Sequence, residues 1–252
     1  MNKRKKLAIT VLLFAICVMI YAGIQLVKIE KVYRVGDAHY DGLKAQVRQV
    51  GRYAPDIMPR ENQQYIYIPE MEIDFTELRK LSEGAIAWLY SPNTAIDYPV
   101  MQSVDYSYYV DHLPNGTRNA NGSLFLDFNC APDFSGELTV IYGHNMKSGK
   151  MFGSLTGYKR QEYYDKHPYM YLYTEHGNYR IDLLYGCVIA AGQWRDRAFM
   201  YAENLSALLA FAEYNTTFTS SVKYSEGEKV IVLSTCSYEF DDARYIVIGV
   251  LR

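Results

Sequence analysis

The stretch VIVLSTCSYEFDDARYIVIGV, residues 230 to 250, decides how the chain is read. Two β-branched apolar runs flank a polar connection of seven residues, SYEFDDA, which suits an antiparallel hairpin. The first run ends on a thiol, Cys236, and the second opens on a guanidinium, Arg244, so the hairpin sets both at one rim. A cysteine kept for packing is placed inside an apolar run, as Cys187 is in LLYGCVIAA. Cys236 stands instead between small hydroxyl residues. A guanidinium beside a sulfur can favour the thiolate, and it can donate hydrogen bonds to an oxygen that becomes negative in acyl transfer. The plain alternative is a core thiol and a surface arginine paired with Asp241 or Asp242.

Upstream, the same texture repeats. AIAWLY, DYPVMQ, GSLFLDF, LTVIYG, MYLYT and YRIDLLYGCVIAAG are short runs separated by Gly, Pro, Asn and Asp, and IYIPEMEI precedes them. DFTELRKLSEG reads as a helix with a capping-box-like start at Asp74 and a stop at Gly84. MFGSLTGYKRQEYYDK and ENLSALLAFAEYN, from Glu203 to about Asn215, read as helical interruptions; the second repeats apolar residues at Leu205, Leu208, Leu209 and Ala212. Many short strands with few helices point to a closed barrel or a sandwich, and closure removes exposed sheet edges.

At the N-terminus, MNKRKK is followed by 21 residues, Leu7 to Val27, without a charge. At ~1.5 Å per residue they match the ~30 Å hydrocarbon core of a bilayer. The four Lys and Arg residues ahead of them place the start inside by the positive-inside rule, so the rest faces outward. A cleavable signal peptide is the rival; its apolar region would be shorter, about 7 to 15 residues, with a small-residue cleavage site. The polar segment after Lys28 suits a stalk helix to about Arg60. The expected division is a basic tail (1–6), a transmembrane anchor (7–27), a stalk (28–64) and a catalytic domain (65–252). The net charge of -2, with no basic stripe, argues against nucleic acid.

Three cysteines, Cys130, Cys187 and Cys236, then lie on the oxidising side, an odd number that leaves at least one unpaired. A Cys130–Cys187 disulfide is compatible with the sequence but not deducible from it. A nucleophilic thiol needs a proton-handling partner. Of the five histidines, His39 falls in the stalk, and His112, His167 and His176 fall in turns or at a helix end. His144, in LTVIYGHNM, emerges after an apolar run and a glycine, at a strand end where backbone can approach closely. Cys, His and Arg at the ends of separate strands form a constellation. No metal-ligand spacing or cofactor motif is present.

IYGHNM with GKMFGSL downstream, and LSTC with an arginine eight residues on, resemble the sortases, membrane-anchored cysteine transpeptidases of Gram-positive bacteria. The resemblance runs from about Tyr65 to Arg252 and includes WLYSPNTAIDYPVMQ, GSLFLDF and CSYEFDDARYIV. Class B fits best: N-terminal helices precede the barrel, and a helix falls before the penultimate strand. The resemblance implies a closed barrel of about eight strands. It also implies Cys236 as nucleophile, His144 as general acid and base, and Arg244 steadying substrate and oxyanion. Tyr106 and Val110 in DYSYYV are carried over as groove positions, and Ser234, Thr235, Ser237 and Tyr238 flank the thiol as further candidates. Implied partners are surface proteins bearing a C-terminal sorting signal of the x-Pro-x-Thr-small kind and an amine of a peptidoglycan precursor. Two departures stand out: Val232 where the family often has threonine, and Tyr106 where class B members often have asparagine. A membrane-tethered cysteine peptidase that uses water, or a silent surface scaffold, are the alternatives.

Overall fold

The computed structural model describes residues 3–50, 71–192 and 204–252. Residues 51–64 of the expected stalk, the opening residues of IYIPEMEI and Glu203 lie outside the described residues. Helix α1 spans Lys3–Val47, a proline-free run of 45 residues. Its most apolar window has a mean hydropathy of 2.4 and is 0% buried, so by length and composition this helix can cross a membrane. Apolar segment and stalk are therefore one unbroken helix. The stalk helix ends earlier than the sequence suggests: at Val47 the chain turns extended, and β1 (Arg48–Val50) pairs antiparallel with β2 (Met71–Ile73). From Gly36 onward α1 has a buried stripe, Gly36, Tyr40, Leu43 and Val47, at steps of four, three and four.

Helix α2 (Phe75–Leu81) starts where the sequence places it, with the Glu77 amide donating to the Asp74 carboxylate at 2.8 Å. Eight strands follow: β3 (Ala85–Tyr90), β4 (Asp97–Met101), β5 (Leu124–Leu126), β6 (Leu138–Tyr142), β7 (Tyr169–Thr174), β8 (Gly177–Ala190), β9 (Lys229–Cys236) and β10 (Ala243–Leu251). They close into a barrel in the order β10-β8-β7-β3-β4-β5-β6-β9. The pairs β4–β5 and β6–β9 are parallel and the others antiparallel. The expected helical interruptions are a 3-10 turn at Gly153–Lys159, α3 (Gln161–Lys166) and α4 (Leu205–Asn215).

Alternation along each strand sorts side chains to two faces. Leu89, Val100, Leu126, Ile141, Leu172, Leu183, Leu233 and Val247 point inward and fill the barrel. Outward residues need a cover. On the β3–β4–β7 side, Trp88, Met101 and Tyr173 are covered by Leu43 and Val47 of α1 and Leu78 of α2. On the β6–β8–β9–β10 side, Val140, Cys187, Val232, Ile246 and Ile248 are covered by Leu205, Leu208 and Ala212 of α4. Area removed from water contributes roughly 25 cal/mol per Å² on either side.

Candidate active site

Strands β6 and β9 are parallel neighbours whose last register pair is Tyr142 beside Ser234. His144 and Cys236 each lie two residues past that pair. The zipper continues beyond it: the Gly143 amide donates to the Ser234 carbonyl (3.1 Å), Thr235 Oγ1 donates to the Gly143 carbonyl (2.7 Å), and Asn145 Nδ2 donates to the Cys236 carbonyl (2.8 Å). Arg244 stands opposite Cys236 on β10, and Ile189 of β8 stands opposite Arg244. Ile189, Arg244, Cys236 and His144 thus form one lateral row. Because Val232 and Ile246 point outward, so do Cys236, four residues along β9, and Arg244, two residues along β10. All three polar members of the row are half-buried.

His144 Nε2 is 2.6 Å from the Val110 carbonyl oxygen. A carbonyl only accepts, so Nε2 carries a proton and Nδ1 is the nitrogen left for chemistry. Arg244 Nη1 donates to the Ala243 carbonyl at 3.0 Å, and among the described residues the guanidinium joins neither Asp241 nor Asp242. The other histidines have structural surroundings. His112 stacks on Tyr108 with centroids 4.2 Å apart, His167 Nδ1 meets the Pro92 carbonyl, and His176 is exposed. His39 is half-buried, and burial lowers its pKa.

All four cysteines are free thiols, so Cys130 and Cys187 do not pair. Burial pushes the Cys130 thiol up to about 11 and the Cys187 thiol up to about 12, which leaves both protonated and inert at neutral pH.

The remaining candidates divide. Val110 meets the site through its backbone carbonyl. Ser234 lies one row below Cys236, between Ile246 and Tyr142; its hydroxyl is buried without a partner. Tyr106 is half-exposed, its ring edge against Phe128 (4.6 Å) and Tyr142 (6.0 Å), and its hydroxyl donates to the Asp127 carboxylate at 3.0 Å. Tyr238 is 77% exposed on the β9–β10 loop. Thr235 and Ser237 are not on the outward face. Thr235 is spent on Gly143, and Ser237 is buried with its hydroxyl bonded to Glu239 and, at 2.9 Å, to Lys159. Burial alone would raise the Glu239 pKa, but Lys159 and Ser237 outweigh it and bring it to about 2.

Three supporting residues escaped the sequence reading. Asn145 ties the end of β6 to the Cys236 backbone; its place directly after Gly-His was the available signal. Asp127 is buried and also accepts from the Tyr142 hydroxyl at 2.9 Å. Gly122, at φ +57°, lies against the His144 ring: a Cβ there would come within 2.5 Å of the Val110 carbonyl and 3.0 Å of His144 Cδ2. In the sequence it stood only as the first residue of the strand-like run GSLFLDF. Among the described residues, no three His, Cys, Asp or Glu side chains are grouped to hold a metal ion.

No family model matches the chain. Individual relatives do. Sortase B of Listeria monocytogenes is 30% identical over 185 residues, 72% of this chain and 75% of that protein. Sortase B of Staphylococcus aureus is 23% identical over 178 residues, 69% of this chain and 73% of its own. The crystal structure of Clostridium perfringens sortase B superimposes with a TM-score of 0.65 at 23% identity, over 71% of this chain and 100% of that one. With the identity to the Listeria protein, the closed eight-stranded barrel and a thiol free at its rim, the chain belongs to the sortase B family of cysteine transpeptidases.

Proposed function

We propose that the chain cleaves a C-terminal sorting signal of surface proteins after threonine and transfers the acyl group to an amine of a cell-wall precursor. One observation carries the reading: His144 and Cys236 sit at equal offsets past the last pair of neighbouring parallel strands, with Arg244 across from the thiol. The Cys236 thiolate, its proton held on His144, adds to the threonine carbonyl. Arg244 donates to the oxyanion that forms. As the C–N bond breaks, His144 gives its proton to the leaving amine and a thioester remains. The accepting amine then adds to the thioester carbonyl, His144 takes the amine's proton, and the C–S bond breaks to release an amide and the thiolate. The Nε2 bond to Val110 fixes the ring through both steps, because that proton is never the one transferred.

Tyr106 and Tyr238 line the approach to Cys236 in this reading, and Ser234 lies buried one row beneath the thiol. The chain is anchored by residues 7–27 as a single span, N-terminus inside, with a catalytic domain from about residue 65 outside; the apolar α1 segment and the basic residues before it support this. The test is product analysis of a pentapeptide library of the x-Pro-x-Thr-small kind, with and without an amine nucleophile. Amide product at the expense of acid is the expected result. Acid alone at every amine concentration overturns acyl transfer in favour of hydrolysis.

A further inference from the structure

The positions that hold His144 are themselves held from an unexpected direction. The ring is fixed through the Val110 carbonyl and lies against Gly122. Gly122 belongs to the loop 119–123, and the chain after His144 returns through a turn to Phe152, whose amide donates to the His144 carbonyl at 3.0 Å. Both segments are gripped by α1. The Tyr40 hydroxyl, 2% exposed as a residue, donates to the Gly122 carbonyl at 2.5 Å and lies 3.1 Å from Ser123 Oγ. Ser123 in turn donates to the carbonyls of Tyr109 and His112, on either side of Val110. Asp37, one turn earlier, accepts from Asn121 Nδ2 at 3.2 Å with one oxygen and pairs with Lys150 Nζ at 2.7 Å with the other. A single carboxylate therefore bridges the loop before the imidazole and the turn after it. Gly36 lets the helix approach: a Cβ there would meet Asn121 Nδ2 at 2.5 Å.

We infer that Tyr40 and Asp37, on the helix that carries the apolar segment, are positioning residues for His144. The inference rests on the functional reading above, in which His144 handles the proton in both steps. Neither residue touches substrate. They set the Gly122 and Val110 backbone against which the ring is aimed, and a small displacement of an acid–base group is costly because proton transfer demands hydrogen-bond reach in both half-reactions. Simple anchoring of a stalk would need only apolar contact, which Leu43 and Val47 already supply lower on the helix. A buried hydroxyl and a carboxylate aimed at the two His144-flanking segments go beyond that.

The experiment uses the full chain in detergent micelles and compares the parent with Tyr40→Phe and Asp37→Ala. Each variant is expected to lose about five- to tenfold in kcat for acyl transfer while KM stays within about twofold. The proton on His144 Nε2, followed by NMR of labelled histidine, is expected to exchange with water faster in both variants than in the parent. Unchanged kcat with unchanged ring-proton exchange overturns the inference, as does a loss that appears only as a smaller folded fraction on melting. Should the parent itself form no thioester at Cys236, the functional reading fails, while the ring-proton comparison still decides whether Tyr40 and Asp37 position His144.

Discussion

Two adjacent rows on the same outer face of the barrel hold the same chemical group in opposite conditions. The lower row runs Cys187, Ile246, Ser234, Tyr142; the upper runs Ile189, Arg244, Cys236, His144. Cys187 is fully buried under α4, and its thiol is pushed up to about 12. Cys236, one row higher and two strands across, is half-buried in one row with a guanidinium and an imidazole. Residue type does not separate the two. The edge of the cover does: of the upper row only Ile189 joins the buried cluster under α4, while Arg244, Cys236 and His144 lie outside it and stay half-buried.

The sharpest way to break this contrast is to exchange the fates of the two thiols. Cys236→Ala should lower thioester formation by more than about a thousandfold. Cys187→Ala should retain turnover per folded molecule, and a thiol-reactive probe on the parent should label Cys236 selectively; selective labelling of Cys187 would reverse the assignment. The contrast sharpens if the cover is thinned. Leu208 is fully buried in α4, so Leu208→Ala should cost about 2–5 kcal/mol of stability in chemical denaturation and speed labelling of Cys187, with the kcat of the folded fraction kept. Smaller than the loss of the thiol is the effect expected from altering its neighbour in the upper row. Arg244→Lys keeps the charge and loses the planar fork, so turnover should fall roughly tenfold or more in steady-state kinetics. Retained turnover would remove Arg244 from oxyanion duty.

The fold was legible because strand alternation is a local property. The runs from AIAWLY to RYIVIGVL all became barrel strands, and Asp74 announced α2 through its own side chain. The three positions expected from the sequence, His144, Cys236 and Arg244, could be read because each stands at a strand end, and the register brings those ends into one row. What supports them could not, for two reasons. Thr235 and Ser237 look like neighbours of the thiol in sequence, but period-two alternation turns them to the opposite face. Tyr40, Asp37 and Gly122 lie 114 to 199 positions from Cys236, and nothing local relates a tyrosine on a polar helix to a turn glycine; only tertiary docking brings them together.

Helix α1 is unbroken from its apolar segment to Tyr40, whose hydroxyl holds the Gly122 carbonyl. From Val27 to Tyr40 is 13 residues, about 20 Å at ~1.5 Å per residue along the axis. In the proposed orientation the rod doubles as a depth gauge. It keeps the cleft at a set stand-off from the lipid surface, so a client still tethered in the same bilayer meets the thiol only if its own spacer reaches that height.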